Sequence, residues 1–387
     1  MLFIALTIIF FIVLVLTVGI DLLYYYYKVF QRIHIGRWSD LKTWYQAICR
    51  QNQNYFRKKP TVKLTDNERY IILDLLKGHY RNSTIQSWQE AGTLYGALSS
   101  NVPPDTVKEF IESKIDPNIR KWKQVPNHVD GALLAYTIAK SVEDKEFFKP
   151  AFDEIIQLIE NCEGSEGTIF YRDFIPDIRF VDTIGFICPF LTFYAQTFDA
   201  PKYKELAIEQ IRSYMDFGFL NGQNIPVHAY DLKKEMPLGI YGWGRGLGWF
   251  IIGVVEMYNE LHNNSPEKKE LETIILKTAN DTLPYQKQDG GFNAMMGVES
   301  SRHDSSITCL AGLLFHSAYT ISKEEKFISA AKNCIASLMK STRRNGEIDF
   351  CQGDTKGIGL YAKTFDIMPF VQGLTIRLAK EVHKEIL

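Results

Sequence analysis

Helical segments of two alternating kinds fill the chain from about residue 65 to its end. Segments such as 132–139 and 246–255 are rich in Gly and Ala and apolar on every side, whereas 204–214 and 268–276 carry charges along one face. A helix that is apolar all round requires burial on all sides, and an amphipathic helix requires an outer position. The alternation therefore predicts an all-α fold, an (α/α)6 toroid, in which helix pairs close into an inner and an outer ring.

The helical periodicity has few competitors in this part of the chain. Alternating runs of β-branched residues are scarce, so an α/β fold is disfavoured. An open solenoid of helix pairs is the alternative to a closed ring, although the sequence shows no repeat of fixed length. Helices are predicted from a capped start at residue 65 and near residues 87–99, 105–121, 129–142, 146–161, 180–198, 200–217, 244–262, 267–282, 304–320, 324–341 and 363–381.

The N-terminus departs from the pattern of a soluble protein. Residues 2–20 form an unbroken apolar run that is long enough to span a bilayer as a helix. Asp21 ends the run, and the four tyrosines 24–27 follow it as a predicted interfacial belt. A cleaved signal peptide is the alternative, but no Lys or Arg precedes the apolar run and no small-residue cleavage site follows it. We therefore expect a single-pass membrane anchor over residues 1–22.

A basic segment, residues 23–64, links the anchor to the predicted domain at 65–387. Its lysines and arginines all follow the apolar run, so the positive-inside tendency favours a cytoplasmic domain. The six scattered cysteines form no disulfide framework, which is typical of a reducing compartment. The segment is expected to lie on the membrane surface or to pack on the domain, through apolar residues at helical spacing: Trp38, Leu41, Trp44, Tyr45 and Ile48.

Charge and cysteine spacing disfavour several functional classes. A net charge of −1 provides no basic surplus for nucleic acid. No CxxC pair or zinc-type cluster occurs, so we expect neither a metal nor a cofactor.

Polar and aromatic residues cluster in four loops that precede apolar helices, at 126–131, 177–183, 239–249 and 300–306. In a closed ring such loops converge at one end of the inner helices. We therefore expect a pocket built from distant parts of the sequence.

The motif from Tyr241 to Trp249 is the strongest single signal. Three glycines between Trp243 and Trp249 allow backbone and rings to approach a ligand closely, and Arg245 carries a planar fork suited to a carboxylate. A tightly packed helix start is the alternative reading. Helix capping is likewise an alternative role for three aspartates at helix starts: Asp130, Asp182 and Asp304.

This motif, together with Arg179–Thr183 ahead of a proline-containing helix, resembles the unsaturated uronyl hydrolases of glycoside hydrolase families 88 and 105. The segment 304–306 is also similar, and so is 127–131, although one residue is inserted there between His128 and Asp130. The resemblance runs from about residue 65 to the C-terminus. The combination with an N-terminal span resembles membrane-anchored polysaccharide-biosynthesis proteins of the VpsJ type.

The resemblance implies hydration of a 4,5-unsaturated uronic acid at the end of an oligosaccharide. Asp182 would be the general acid and base and Asp130 its partner, and Arg245 would face the uronate or orient the acid. The other implied substrate-binding residues are two sugar-stacking walls, Trp243 and Trp249, and three further pocket residues, His128, Asp304 and Ser305.

The expected partners are an oligo- or polysaccharide, the membrane and other proteins of polysaccharide synthesis. Two alternatives to a hydrolase remain. One is a non-catalytic glycan-binding or scaffold component of a polysaccharide-synthesis complex, and the other is an epimerase or lyase on the same fold.

Overall fold

The computed structural model describes residues 1–60 and 85–385. The α-helices of these residues are α1 Leu2–Arg32, α2 Leu41–Arg57, α3 Ser87–Leu98, α4 Pro104–Lys114, α5 Gly131–Ser141, α6 Lys145–Glu160, α7 Val181–Thr197, α8 Pro201–Gly218, α9 Gly244–Glu260, α10 Pro266–Thr282, α11 Ser305–Ser322, α12 Glu325–Lys340 and α13 Pro369–Val382. Short strands in the loops are β1 Ile115–Asp116, β2 Lys121–Trp122, β3 Ile178–Phe180, β4 Ala229–Asp231, β5 Met236–Leu238, β6 Cys351–Gln352 and β7 Phe365–Asp366.

Six of these helices close into an inner ring. Helix α3 packs on α5, and contacts continue through α7, α9 and α11 to α13, which packs back on α3. The helices between them in the chain lie outside the ring, and α2 occupies the outer position between α13 and α3. The predicted (α/α)6 toroid is confirmed, and ring closure excludes the open solenoid.

The inner helices are buried along nearly their whole length, as their all-round apolar sequences require. Small residues permit the closest crossings. A Cβ on Gly373 of α13 would lie 1.7 Å from the backbone oxygen of Gly92 on α3, so only glycine fits where the ring closes.

The sequence-predicted helices agree closely with the structure, with two exceptions at the ends. The helix predicted at 105–121 ends at Lys114, and residues 115–122 form the antiparallel β1–β2 hairpin instead. Pro117 disfavours helical backbone at Asp116, which explains the early end. The last helix begins at Pro369 rather than near 363, because β7 precedes it. The predicted start at residue 65 lies outside the described residues.

The segment after the apolar run packs on the domain, one of its two expected outcomes. Trp44 and Ile48 of α2 are fully buried, so the helical body includes residues upstream of the predicted start at 65. All six cysteines are free.

Helix α1 is long and apolar enough to cross a membrane, with a mean hydropathy of 3.0 in its most apolar window, none of which is buried in the body. Its last turns contact the body instead: Arg32 pairs with Asp349 across 2.7 Å, and Lys28 pairs with Asp366 at the same distance.

The short strands position the loops around the ring. Strands β3, β4 and β5 form an antiparallel sheet in which Arg179 pairs with Tyr230, and β6 pairs with β7 through Gln352 and Phe365. The second pairing closes a hairpin over residues 351–366, called here the β6–β7 hairpin.

Candidate active site

The N-terminal ends of the inner helices meet at one end of the ring, called here the mouth. Asp130 directly precedes α5, Asp182 lies in the first turn of α7, and Arg245 lies in the first turn of α9. Asp354 follows β6 in the β6–β7 hairpin. The charges of Arg245 and Asp354 act on Asp182, and the charge of Asp354 acts on Asp130, so the four side chains lie in one neighbourhood.

Asp182 is enclosed at the mouth without serving as a helix cap. Residue Phe180 occupies the N-cap position of α7 and makes no side-chain capping bond. The Oδ2 atom of Asp182 is buried and has no hydrogen-bond partner among the described residues. Burial raises the pKa of Asp182 to about 7, and the nearby charge of Arg245 acts in the opposite direction.

Asp130 is the second carboxyl of this kind. It occupies the N-cap position of α5 but makes no capping hydrogen bond, so the capping alternative fails here too. Burial raises its pKa to about 7, while the charge of Arg172 and the backbone N–H of Trp88 act in the opposite direction. Two aspartates thus hold protons near neutral pH, the state that proton donation to a substrate requires.

Asp354 adds a third carboxyl to the group. Burial raises the pKa of Asp354, against the attraction of Arg245. Its charge in turn raises the pKa of both Asp130 and Asp182, and Arg172 lowers both. The mouth therefore combines three carboxyls with two guanidinium groups.

His228 lies directly against Asp182. Its Nε2 atom is 3.8 Å from Asp182 Oδ2, and its backbone oxygen accepts a hydrogen bond from the N–H of Val181. Burial, followed by the charge of Arg245, lowers the pKa of His228 to about 4. The imidazole is therefore neutral at physiological pH. In this form one ring nitrogen can donate a hydrogen bond and the other can accept one, so the ring adds no charge beside the carboxyl.

Arg245 uses its fork on the protein itself. Nη1 donates to the carbonyl oxygen of Gln352, and Nη2 donates to that of Gly353 across 2.7 Å. Arg245 therefore fixes the β6–β7 hairpin at the mouth and presents positive charge to Asp182 and Asp354. Of the two predicted roles, orientation of the acid fits this geometry better than direct contact with a uronate.

The two tryptophans of the glycine-rich motif are both buried. Trp243 donates from Nε1 to Gln352 Oε1 across 3.0 Å, and its ring lies 4.4 Å from that of His228 and 5.3 Å from that of Tyr361. Trp249 packs inside the ring, with aromatic neighbours at 4.5 to 5.3 Å from helices α3, α7 and α13. Trp249 is therefore enclosed by aromatic side chains of the ring, and its role as a sugar-stacking wall stays a prediction.

Asp304 and Ser305 lie buried at the start of α11. Asp304 is fully buried and caps α11: it accepts hydrogen bonds from the backbone N–H and the hydroxyl of Ser306. It also accepts from the N–H of Gln352 across 3.2 Å. Ser305 is fully buried as well. Through the Gln352 N–H, Asp304 supports the β6–β7 hairpin, and the substrate-binding roles of both residues stay predictions.

His128 remains at the rim of the mouth. Its exposed ring lies 6.3 Å from that of Tyr171, which also contacts Phe180 and Phe186. The guanidinium of Arg172 stands 4.0 Å above the Tyr171 ring and makes no hydrogen bond or ion pair to the part of the chain that the structure describes. Residues 1–60 and 85–385 contain no group of three or more His, Cys, Asp or Glu side chains placed to hold a metal ion.

The model of glycosyl hydrolase family 88 matches residues 63–385 of the chain. The chain belongs to glycosyl hydrolase family 88. Its N-terminal helix α1 and outer helix α2 precede the matched region.

Solved structures share the fold of this family 88 chain at low sequence identity. A possible member of family GH105 from Salmonella enterica superposes with a TM-score of 0.73 at 14% identity, covering 90% of this chain and 94% of its own. An unsaturated glucuronyl hydrolase from Bacillus sp. GL1 gives 0.62 at 16% identity, covering 88% and 96%. A protein described as a polysaccharide lyase gives 0.64 at 14% identity, covering 90% and 99%. No curated protein matches the sequence.

Sequence reasoning missed three functional candidates of this family 88 site. His228 stands just before a three-residue strand and carries no local signal. Arg172 lies in an irregular loop outside the predicted polar clusters. Asp354 directly follows Gln352–Gly353, a pair that matches the uronyl hydrolase families only loosely. This pair is the sequence signal that could have indicated Asp354.

Proposed function

We propose that this protein hydrates the 4,5-unsaturated uronyl residue at the non-reducing end of an oligosaccharide, with Asp182 as the general acid and base. The observation that carries the proposal is the carboxyl of Asp182, whose Oδ2 atom has no hydrogen-bond partner among the described residues and whose pKa is raised to about 7. A carboxyl in this state can donate a proton near neutral pH and take one back.

The proposed reaction balances with water as the second reactant. Protonated Asp182 gives its proton to C4 of the C4=C5 double bond, and a water molecule adds its oxygen to C5. The second proton of that water returns to the Asp182 carboxylate. The hemiketal formed at C5 then collapses and the glycosidic bond opens. This route needs one proton-transferring carboxyl rather than the acid–nucleophile pair of ordinary glycosidases.

The surrounding groups support distinct roles. Asp130, protonated up to about pH 7, is suited to donate a hydrogen bond to the sugar ring. Neutral His228 is suited to orient the Asp182 carboxyl or the attacking water, because its Nε2 atom lies 3.8 Å from Oδ2. Arg172 is a better partner for the uronate than Arg245, because the Arg245 fork already binds two carbonyl groups.

The proposal places this enzyme at a membrane, with α1 as a single-pass anchor. The last turns of α1 favour an anchor over a cleaved signal sequence. Helix α1 continues without a break to Arg32, and cleavage near residue 21 would cut through it. The ion pairs of Lys28 and Arg32 with the body would then lose their support. Intact mass of the membrane-bound protein tests this: 44.6 kDa supports the anchor, and a loss of about twenty residues refutes it.

We further propose a role in the assembly or processing of cell-surface polysaccharide, with the body on the cytoplasmic side. This part rests on the resemblance to anchored biosynthesis proteins and on the basic residues after α1. Co-purification with glycosyltransferases from membranes is the expected result.

Turnover of unsaturated disaccharides tests the chemistry. Hydration removes the double bond, so absorbance of the unsaturated sugar should fall with wild-type protein and stay constant with Asp182→Asn. The exposed carboxylate of Asp216, at the end of α8, offers a matched control, and Asp216→Asn should retain full activity. No absorbance change across a panel of uronides, with folded protein, would rule out hydration.

The same assay separates the alternatives. A lyase creates a double bond, so a polysaccharide substrate would give rising rather than falling absorbance. A scaffold protein would bind the oligosaccharide without any change, and Asp182→Asn would then bind as the wild type does.

A further inference from the structure

A cleft of about 640 Å³ connects the mouth with helix α1. Gly353 and Asp354 line one end of the cleft, and Tyr24, Tyr27 and Lys28 of α1 line the other. The charge of Asp354 acts on both catalytic-site aspartates, so this end of the cleft adjoins the proposed reaction centre. The α1 end lies outside the region that matches family 88.

An unsatisfied polar group faces this cleft. Gln89, in the first turn of α3, is 2% exposed and lines the cleft, and its Oε1 atom has no hydrogen-bond partner among the described residues. A buried amide oxygen without a donor is destabilising, so an occupant that supplies a hydroxyl donor is favoured. Its neighbour Trp88 directs a backbone N–H toward Asp130, which links this part of the cleft to the mouth.

Ion pairs and a hydrogen bond attach the end of helix α1 to residues at the mouth. Lys28 Nζ contacts Asp366 Oδ2 across 2.7 Å, and Arg32 donates to Asp349 across 2.7 Å and to the carbonyl oxygen of Phe365 across 3.0 Å. Asp366 and Phe365 form strand β7, which pairs with β6 just before Asp354. Strand β7 therefore connects the tyrosine-bearing end of α1 with the hairpin that carries Asp354, and both line the same cleft.

We propose that this cleft binds the reducing-side sugars of the substrate and that α1 supplies one of its walls through Tyr24 and Tyr27. The proposal rests on the proposed function, which places the terminal uronyl residue at Asp182. The wall combines tyrosine rings, a lysine, a carboxyl and an unpaired amide oxygen, and hydroxyl-rich sugars suit all of these groups. The substrate class is therefore a longer oligosaccharide rather than a disaccharide.

The α1 sequence provides a matched pair of double variants for the test. Tyr24→Ala with Tyr27→Ala removes the cleft wall, whereas Tyr25→Ala with Tyr26→Ala removes two exposed tyrosines from the same turns that do not line the cleft. Both variants lose equal aromatic area near the membrane, so the comparison cancels any effect on anchoring.

The measurement is kcat/KM of the full chain in detergent for the unsaturated di- and tetrasaccharides of hyaluronan. For the cleft variant we expect the tetrasaccharide-to-disaccharide ratio of kcat/KM to fall about tenfold through a higher KM. The control variant should keep the wild-type ratio. An equal ratio in both variants would overturn the proposal.

Binding separates this inference from the proposed reaction. If wild-type protein turns over neither substrate, the panel of uronides decides about hydration, and calorimetric binding of the saturated hyaluronan tetrasaccharide decides about the cleft. Weaker binding by the Tyr24/Tyr27 variant than by the control supports the cleft, whereas equal binding, or none by wild type, overturns it. Gln89→Leu gives an independent check on the body and should weaken tetrasaccharide binding in the same way.

Discussion

Replacing Asp182 by Asn should make the protein more stable above neutral pH while removing its proposed activity. Asn has nearly the shape of a protonated aspartic acid but cannot ionise. The substitution therefore leaves the packing at the start of α7 unchanged and deletes only the cost of a buried negative charge. A gain in stability on replacing Asp182 indicates that the folded protein keeps this carboxyl at a cost in stability, which is typical of functional sites.

The magnitude follows from the pKa of Asp182. Burial raises that pKa from 3.8 to about 7 in the folded protein, and each unit corresponds to 1.36 kcal/mol. Because the folded-state pKa lies above the unfolded value, the cost of ionisation is absent below pH about 4, grows as the pH rises and is complete above pH about 7. We expect Asp182→Asn to match wild type near pH 4 and to gain on the order of 4 kcal/mol at pH 8.

Denaturant unfolding of the full chain in detergent, followed by tryptophan fluorescence at pH 4, 6 and 8, measures this difference. The buried Trp243 and Trp249 report loss of the ring directly. The control Asp216→Asn, at an exposed position of α8, should change the free energy of unfolding only slightly. A gain for Asp182→Asn that does not grow with pH would refute the assignment of a buried, proton-holding carboxyl.

Three further predictions concern the site and its support. Turnover should fall as the pH rises through about 7, because Asp182 then loses the proton that it must donate; a pH profile of kcat on an unsaturated disaccharide checks this, and a flat profile to pH 9 contradicts it. Gly373→Ala should cost about 3 kcal/mol or abolish folding, since its Cβ would lie 1.7 Å from a backbone oxygen of α3, whereas Gly357→Ala meets no atom closer than 3.5 Å and should leave the melting temperature unchanged. Asp304→Ala should lower stability by about 1–2 kcal/mol, because α11 loses its cap and the Gln352 N–H its acceptor; an unchanged melting temperature would argue against this supporting role.

Local sequence patterns determined much of the architecture. Apolar periodicity marks the inner and outer helices, because the faces that a helix must bury are set by residues three and four positions apart. The same locality located Asp130 and Asp182, since each stands in a polar loop just before an all-round apolar helix. It also indicated the apolar span of α1.

Only the tertiary structure decided how these parts meet. Arg245 binds the carbonyl groups of Gln352 and Gly353, more than a hundred residues away, so its use as a support for the β6–β7 hairpin has no local signal. Trp249 is enclosed by helices from three parts of the ring, and His228 reaches Asp182 from the residue before strand β4. A motif specifies which groups are present, but burial and pKa depend on which distant segments cover them, and that depends on ring closure.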